Sequence, residues 1–207
     1  MRLFIALDID DEIRGRFGRF LDGVSGFAPD ARWARLESLH ITLKFIGERP
    51  EEMVSSLEEA LSDVREPPFA VTFSGFGFFP TAKSPRVFWI GIQADPGLQR
   101  LAAAIDEKTA ALGIPKEERA FSPHLTLARK SGGSGPPRRQ DSDRPNKVFQ
   151  RLQEKLSALG KPEFGTMTAR EFFLYQSQLS RNGSCYTKLH RFSLSGDVAV
   201  AGGPQNP

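Results

Sequence analysis

Nearly the same eight-residue segment occurs twice in this chain, as Ser-Leu-His-Ile-Thr-Leu-Lys-Phe at residues 38–45 and as Ser-Pro-His-Leu-Thr-Leu-Ala-Arg at residues 122–129. In an extended strand, residues two apart lie on the same face, so His40 lies beside Thr42 and His124 lies beside Thr126. The intervening residues are leucine and isoleucine, which make the opposite face apolar. Each segment therefore predicts a strand with one packed face and one face of His and Thr.

The spacing of these segments indicates an internal duplication. Arg2 begins Arg-Leu-Phe-Ile-Ala-Leu-Asp, and Arg86 begins the similar Arg-Val-Phe-Trp-Ile-Gly-Ile. The offset from Arg2 to Arg86 is 84 residues, which is also the offset from His40 to His124. Two landmarks with one offset predict two related halves, each with a strand, a helix, a histidine strand, a helix and a strand. A pseudo-twofold relation between two α+β lobes would set the two His/Thr faces opposite each other across a shared cleft.

Hydrophobic periodicity and turn residues predict the other elements of each half. In the first half we expect a strand at 2–8, a helix from Asp10 or Asp11 to about Val24, a helix over 53–61, and a strand at 69–79 with a bend at Gly75 and Gly77. In the second half we expect a strand at 86–92, a helix from Leu98 to Leu112, a helix over 148–159, a strand at 164–174 that matches 69–79 at an offset of 95, and a final strand at 186–194.

Two segments of the second half have the composition of flexible chain. Residues 130–147 contain Gly-Gly-Ser-Gly-Pro-Pro and several arginines, which predicts a flexible basic loop inserted into the repeat. Residues 197–207 contain Gly-Gly-Pro and end in Pro, which predicts a flexible C-terminal tail. We therefore expect a single bilobal domain at residues 1–196, followed by this tail.

Composition limits the classes of function that need to be considered. The chain has 207 residues, and its hydrophobic share of 39% and charged share of 26% suit a globular domain with a core. The net charge of +3 favours anionic partners only mildly. Cys185 is the only cysteine and there are three histidines, which excludes an intramolecular disulfide and leaves few zinc ligands. No run approaches the roughly 18 apolar residues of a membrane helix, so we expect a cytoplasmic protein without a membrane segment, a metal or a cofactor.

The two histidines suit acid–base catalysis at a phosphate. Histidine has an unperturbed pKa of about 6.5, so a pair of histidines can supply both an acid and a base near neutral pH. Phosphoryl transfer needs a base that activates the nucleophile and an acid that protonates the leaving oxygen, roughly in line. Thr42 and Thr126 can donate hydroxyl hydrogen bonds to the nonbridging phosphate oxygens. A lone His-x-Thr is usually structural, but two copies in register within a duplication favour a shared catalytic site formed by His40 and His124.

The remaining charged candidates have simpler interpretations. His190 has no partner in the repeat and suits an ordinary strand position. Lys44 shares the face of His40 if the strand is regular, and we interpret it as a solvated lysine at the rim of the cleft. Arg129 falls on the apolar side by strict alternation, although its place at the end of the strand allows it to turn outward. Arg138, Arg139 and Arg144 belong to a loop whose default interpretation is a solvated linker.

The motifs taken together resemble the two-histidine (2H) phosphoesterase superfamily, whose hallmark is a pair of His-x-Thr/Ser-x motifs. Four segments resemble its bacterial and archaeal RNA 2',3'-cyclic phosphodiesterases, also called 2'-5' RNA ligase-like proteins: Arg-Leu-Phe-Ile-Ala-Leu-Asp at 2–8, Leu-His-Ile-Thr-Leu-Lys-Phe-Ile-Gly-Glu at 39–48, Pro-Arg-Val-Phe-Trp at 85–89 and Pro-His-Leu-Thr-Leu-Ala-Arg at 123–129. The resemblance spans about residues 1–194, with the motifs in the same order. It implies an α+β, bilobal, duplicated fold with two antiparallel sheets flanked by helices around a central cleft.

The resemblance also implies a reaction and a role for each histidine. The expected activity is metal-independent hydrolysis of a terminal RNA 2',3'-cyclic phosphate to a 2'-phosphate, with RNA ends as the partner and the chain acting as a monomer. By position in the family motifs, His40 is the proton donor and His124 the proton acceptor, while Thr42 and Thr126 bind substrate. Some relatives also join RNA ends through a 2'-5' linkage.

Two other functions remain open at this point. The chain could be a 2H esterase that acts on small cyclic nucleotides or on ADP-ribose cyclic phosphate. It could also be a noncatalytic module that binds nucleotides or RNA in the same cleft.

Overall fold

A computed structural model describes residues 1–131, 147–180 and 183–196. The predicted loop is described only at its two ends, and the predicted tail at 197–207 lies wholly outside these residues. The strands are β1 (Arg2–Asp8), β2 (Ala31–Trp33), β3 (His40–Glu48), β4 (Phe69–Phe79), β5 (Val87–Ala94), β6 (His124–Lys130), β7 (Glu163–Ala169), β8 (Glu171–Ser180) and β9 (Gly183–Ser193). The helices are α1 (Asp11–Val24), α2 (Met53–Ser62), α3 (Gly97–Ala111) and α4 (Gln150–Leu159). The predicted α+β class is confirmed.

The strands form two antiparallel sheets, in the orders β3-β1-β8-β9 and β2-β6-β5-β4-β7. Each sheet contains one histidine strand beside the first strand of its own half, so β3 pairs with β1 and β6 pairs with β5. However, β4 of the first half completes the sheet of the second half, and β8 of the second half completes the sheet of the first. Strand β4 pairs with β5, and β8 pairs with β1. The two lobes therefore exchange strands.

Local sequence explains why the first helix begins and packs where it does. The Asp10 side chain accepts a hydrogen bond from the Ile13 backbone N–H at 2.8 Å and caps the helix, as its sequence predicts. Ile13, Phe17 and Val24 recur at helical spacing and are buried. They join a large core that takes residues from both sheets and from all four helices. This core fixes the sheets against the helices, and the His/Thr faces lie on the opposite side of each sheet from it.

The predicted strand at 164–174 is wrong in its boundaries and in its match. The chain changes sheets at Arg170, so residues 164–169 belong to β7 and residues 171–174 to β8. Strand β7 pairs with β4 and is therefore not its equivalent. The equivalent of β4 is β8, because β8 pairs with β1 as β4 pairs with β5. The segments 164–174 and 69–79 were matched because both contain Phe and Gly, although 164–174 includes parts of two different strands.

Two β-bulges alter the register that simple alternation predicts. In β3 the pairing with β1 skips Leu43, and in β6 the pairing with β5 skips Leu127. Thr42 lies opposite Ala6, and Thr126 lies opposite Trp89. The structural offset between the first strands is thus 83 residues, one fewer than the 84 that the sequence match indicated.

The bulge in β3 turns Lys44 away from the cleft. Lys44 is only 2% exposed, and its Nζ donates hydrogen bonds to Asp106 Oδ1 at 2.5 Å and to the Pro115 carbonyl at 2.7 Å. The interpretation of Lys44 as a solvated lysine at the rim is therefore wrong. A buried ammonium needs such partners because burial without them is strongly unfavourable.

Removal of the carboxylate that faces Lys44 tests this account. We expect Asp106→Ala to lower the free energy of unfolding by roughly 3 kcal/mol, because it leaves a buried charge without its closest partner. Urea denaturation measures the loss. The matched control is Asp63→Ala, which removes the exposed Asp63–Lys108 pair, separated by 3.4 Å, and should cost under about 1 kcal/mol. Equal losses in the two variants would contradict the account.

Candidate active site

His40 and His124 are the first residues of β3 and β6, and the chain holds their rings in the same way. The Nδ1 of His40 lies 2.7 Å from the Ser38 carbonyl, and the Nδ1 of His124 lies 2.8 Å from the Ser122 carbonyl. A carbonyl only accepts, so each Nδ1 carries the proton and donates it. The Nε2 of each neutral ring is consequently a free base.

The threonines follow on the same faces as the histidines. Thr42 and Thr126 are each partly exposed, while the leucine that follows each of them is buried. The predicted pairing of His40 with Thr42 and of His124 with Thr126 along two equivalent strands is what the strand registers show. Each strand therefore presents one imidazole and one hydroxyl on a single face.

Aromatic rings hold His40 from two sides. Its ring centroid lies 4.8 Å from that of Phe4 and 5.1 Å from that of Tyr186, with Tyr186 edge-on. Phe4 in turn stacks on Tyr175 at 5.0 Å. Such contacts restrict the ring without using either nitrogen.

Different aromatic rings surround His124. The ring of Phe79 meets it edge-on at 5.1 Å, and Trp89 lies 6.3 Å away. Trp89 occupies this position because residue 77 is glycine: a Cβ there would lie 2.1 Å from the indole ring. The glycine that the sequence associated with a bend is therefore needed for the close approach of Trp89.

The two histidines differ in the residue that faces them across the sheet. Asp8 of β1 lies opposite His40, whereas Gly91 of β5 lies opposite His124. Burial is the largest influence on the pKa of His40 and lowers it, but the Asp8 carboxylate acts in the opposite direction, since a negative charge favours the imidazolium. Nothing equivalent stands at position 91, so the pseudosymmetry of the site is broken at this pair.

Asp8 is itself held by cations. Arg14 donates to its Oδ1 at 2.7 Å, and Lys188 donates to its Oδ2. Burial raises the pKa of Asp8, but the hydrogen bonds and charges of Lys188 and Arg14 outweigh burial and hold the pKa below its usual range. Asp8 is therefore ionised at neutral pH.

Arg129 lies on the same face as the site, because the bulge in β6 reverses the alternation beyond Leu127. Strict alternation had placed Arg129 on the apolar side, and the structure supports the outward turn instead. Burial is the main influence that lowers its pKa, and the charge of Arg32 lowers it further, although its side chain remains in contact with solvent. Among the described residues, no carboxylate lies within ion-pair distance of Arg129. A cation with no carboxylate partner in the described part of the chain thus stands near both histidines.

Both imidazoles are held closer to neutrality than in free solution. Burial is the largest influence and lowers the pKa of His40 and of His124, and the charge of Arg129 lowers both further. The hydrogen bonds to the Ser38 and Ser122 carbonyls oppose this shift. An anion bound between the rings would raise both pKa values, because it favours the charged form.

A small pocket of about 160 Å³ opens directly beside His40. Its wall includes Tyr175 and Lys188 of the last hairpin, together with Tyr186. Sequence reasoning missed these residues, since their alternating strand context does not distinguish them.

His190 is excluded from the site by a bulge in the pairing of β8 with β9. The pairing of β8 with β9 skips Leu189, so Lys188 faces the cleft and His190 faces the helical layer. There its Nδ1 lies 3.5 Å from Glu58 of α2. Within the described ranges, no cluster of three or more His, Cys, Asp or Glu side chains is arranged to hold a metal ion, and no helix is both long and apolar enough to cross a membrane.

Known proteins share this sequence along most of its length. A protein from Archaeoglobus fulgidus named RNA 2',3'-cyclic phosphodiesterase is 38% identical over 192 residues, which cover 93% of this chain and 99% of the relative. A protein of the same name from Methanothermobacter thermautotrophicus is 30% identical over 196 residues, covering 94% of this chain and 99% of that protein.

Solved structures share the fold. The crystal structure of the Thermus thermophilus protein TT0787 aligns with a TM-score of 0.74 at 28% identity and covers 96% of this chain and 100% of that chain. The crystal structure of E. coli LigT complexed with 3'-AMP aligns with a TM-score of 0.71 at 28% identity, covering 94% of this chain and 98% of that chain.

The family profile described as LigT-like phosphoesterase matches the chain twice, at residues 7–89 and 90–186. Each match contains one histidine motif, which agrees with the duplication and with the two equivalent strands described above. On this match and on the whole-length relatives, the chain belongs to the LigT-like phosphoesterase family of the 2H superfamily.

Proposed function

We propose that this protein hydrolyses the 2',3'-cyclic phosphate at the end of an RNA to a 2'-phosphate, with His40 and His124 as acid and base. The observation that carries the proposal is the matched pair of imidazoles, each with Nδ1 tied to a carbonyl and Nε2 left free. The names of the whole-length relatives support the same substrate.

The difference between Asp8 and Gly91 supports the direction of proton transfer. Burial lowers the pKa of His40 overall, but the ionised carboxylate opposite it acts against that shift and favours the imidazolium, so His40 is the better suited of the two to give a proton. His124 has no carboxylate at the equivalent place, and burial and Arg129 favour its neutral form, so it is suited to accept one. We therefore assign the proton donor to His40 and the acceptor to His124.

The chemical step then balances as a single in-line displacement. His124 Nε2 takes a proton from water while the water oxygen forms a bond to phosphorus. The bond from phosphorus to O3' breaks, and His40 Nε2 protonates O3' as it leaves. The product carries a 3'-hydroxyl and a 2'-phosphate. Proton exchange with solvent returns both histidines to their starting states.

The threonines and Arg129 act on the phosphate itself. In this proposal the hydroxyls of Thr42 and Thr126 donate to the nonbridging oxygens, and such donors stabilise charge that develops in the transition state. The positive charge of Arg129, which acts on both histidines, attracts the anionic phosphate to the site. The same residues would serve 2'-5' ligation, in which the 5'-hydroxyl of a second RNA replaces water as the nucleophile.

Both histidines come from one chain, so the proposed reaction needs no second copy. We expect a monomer, which light scattering of the pure protein measures. We also propose that the protein is cytoplasmic, as expected from the sequence, because its proposed substrate is RNA.

Replacement of either catalytic histidine tests the function. We expect His40→Ala and His124→Ala each to lower kcat on an oligonucleotide ending in a 2',3'-cyclic phosphate by roughly 10²- to 10⁴-fold, the usual contribution of one acid or base. The assay contains a chelator, and product ends are identified as 2'- or 3'-phosphate. Binding of the oligonucleotide should persist in both variants.

His190→Ala is the matched control and should keep wild-type activity, because His190 faces Glu58 rather than the cleft. A 3'-phosphate product, or activity lost on chelation, would contradict the mechanism. Equal binding by all variants with no turnover by wild type would instead identify a noncatalytic binding module.

Neutralisation of Asp8 tests the direction of proton transfer. In Asp8→Asn, His40 loses a negative charge, and the cations of Arg14 and Lys188 lose their partner. Both changes lower the pKa of His40, so the basic limb of the pH profile of kcat/KM should move to lower pH. The acidic limb, which reports His124, should stay in place.

The position of a limb does not depend on the amount of folded enzyme, so loss of stability cannot imitate this result. The control is Asp11→Asn, which removes a fully exposed carboxylate 3.8 Å from Arg14 without facing His40. Movement of the acidic limb in Asp8→Asn would reverse the assignment of acid and base.

A further inference from the structure

Arg32 lies directly opposite Arg129 in the pairing of β2 with β6. Residues directly opposite in an antiparallel pair have Cα atoms about 4.5–5.5 Å apart and side chains on the same face. The next residue, Trp33, lies opposite Ala128, and its ring contacts buried Phe88 at 6.0 Å between centroids. Trp33 therefore faces the core, and Arg32 faces the cleft beside Arg129.

Two guanidinium groups in this position repel each other. Burial is the main cause of the lowered pKa of Arg129; Tyr186 opposes this shift, and the charge of Arg32 adds to it. Like charges directly opposite across strands also destabilise a sheet. Some other arginines in the described part of the chain have carboxylate partners, such as Asp8 for Arg14 and Glu66 for Arg100. Among the residues that the structure describes, neither Arg32 nor Arg129 has one. Concentrated positive charge without a counter-ion is the property of a site for an anion.

The pair extends outward from the reaction centre. Arg129 acts on both His40 and His124, so the reacting phosphate lies within its field. Arg32 belongs to the edge strand β2, which lies about 4.8 Å beyond β6 in the sheet. The two arginines thus form a line of charge from the histidines to the edge of the sheet, where a longer substrate can leave the cleft.

The geometry points to Arg32 as the contact for the phosphodiester that joins the terminal nucleotide to its 5' neighbour. This inference rests on the proposed function and makes it more specific: the site selects the ends of RNA chains over mononucleotides. Arginine suits the role because its planar guanidinium donates two parallel hydrogen bonds to phosphate oxygens. A cyclic mononucleotide has only the reacting phosphate and leaves Arg32 without an anion.

The test compares three substrates with wild type and Arg32→Gln. They are a nucleoside 2',3'-cyclic phosphate, a dinucleotide ending in the same group, and that dinucleotide with an uncharged methylphosphonate linkage. For wild type we expect kcat/KM to be about three- to tenfold higher with the charged linkage than with the uncharged one, the range for an exposed charge-assisted contact. In Arg32→Gln this ratio should fall to about one.

Arg19→Gln is the matched control, because it removes the same charge from an exposed arginine on α1 and should keep the wild-type ratio. Thermal unfolding confirms that each variant is folded. If Arg32→Gln keeps the ratio, or if wild type shows none, the inference is overturned while the proposed function stands. If wild type hydrolyses none of the three substrates, the proposed function fails and the inference fails with it.

Discussion

Everything in the active site depends on two hydrogen bonds from imidazole to the backbone. Each histidine starts a strand, and its Nδ1 donates to the carbonyl two residues before it. The bond sets the tautomer and the ring orientation together, so Nε2 is both unprotonated and directed away from its own backbone. The accepting carbonyls belong to Ser38 and Ser122, which lie just before the two strands and outside their ladders. The segment just before each strand therefore sets the tautomer of the histidine, while the strand sets the position of its ring.

Duplication supplies two equivalent groups, but a directional reaction needs them to differ. The difference does not lie in the motifs, which keep His and Thr in both halves. It lies in the neighbouring strand, where Asp8 stands opposite one histidine and Gly91 opposite the other. Arg129 adds a positive charge that acts on both, and no cation stands at the equivalent position of the other half, which is occupied by Phe45. Neighbouring charges can thus make one histidine the proposed proton donor and the other the proposed acceptor, although both motifs keep the same residues.

The sequence predicts the fold class, the helices and the His/Thr faces because these follow from local periodicity. It does not predict the consequences of the β-bulges, since a bulge leaves composition unchanged and yet reverses every later side chain. That single effect explains why Lys44 is buried against Asp106, why Arg129 faces the site, and why His190 does not. The exchange of β4 and β8 was missed for another reason. Pairing between distant strands depends on the whole core, and the similar composition of β4 and β7 favoured the wrong match.

The exchanged strands carry information about ancestry. Each half of this chain leaves its own sheet without the strand beside β1 or β5, and carries that strand in the sheet of the other half together with a further strand, β2 in the first half and β9 in the second. Two identical copies of such a half would each complete the other by swapping that strand, and would bring two histidines to one cleft. A symmetric homodimer of one such half is thus the simplest ancestor of the topology. Fusion of two such copies would then allow the halves to diverge, so that the residues opposite the two histidines could become as different as Asp8 and Gly91.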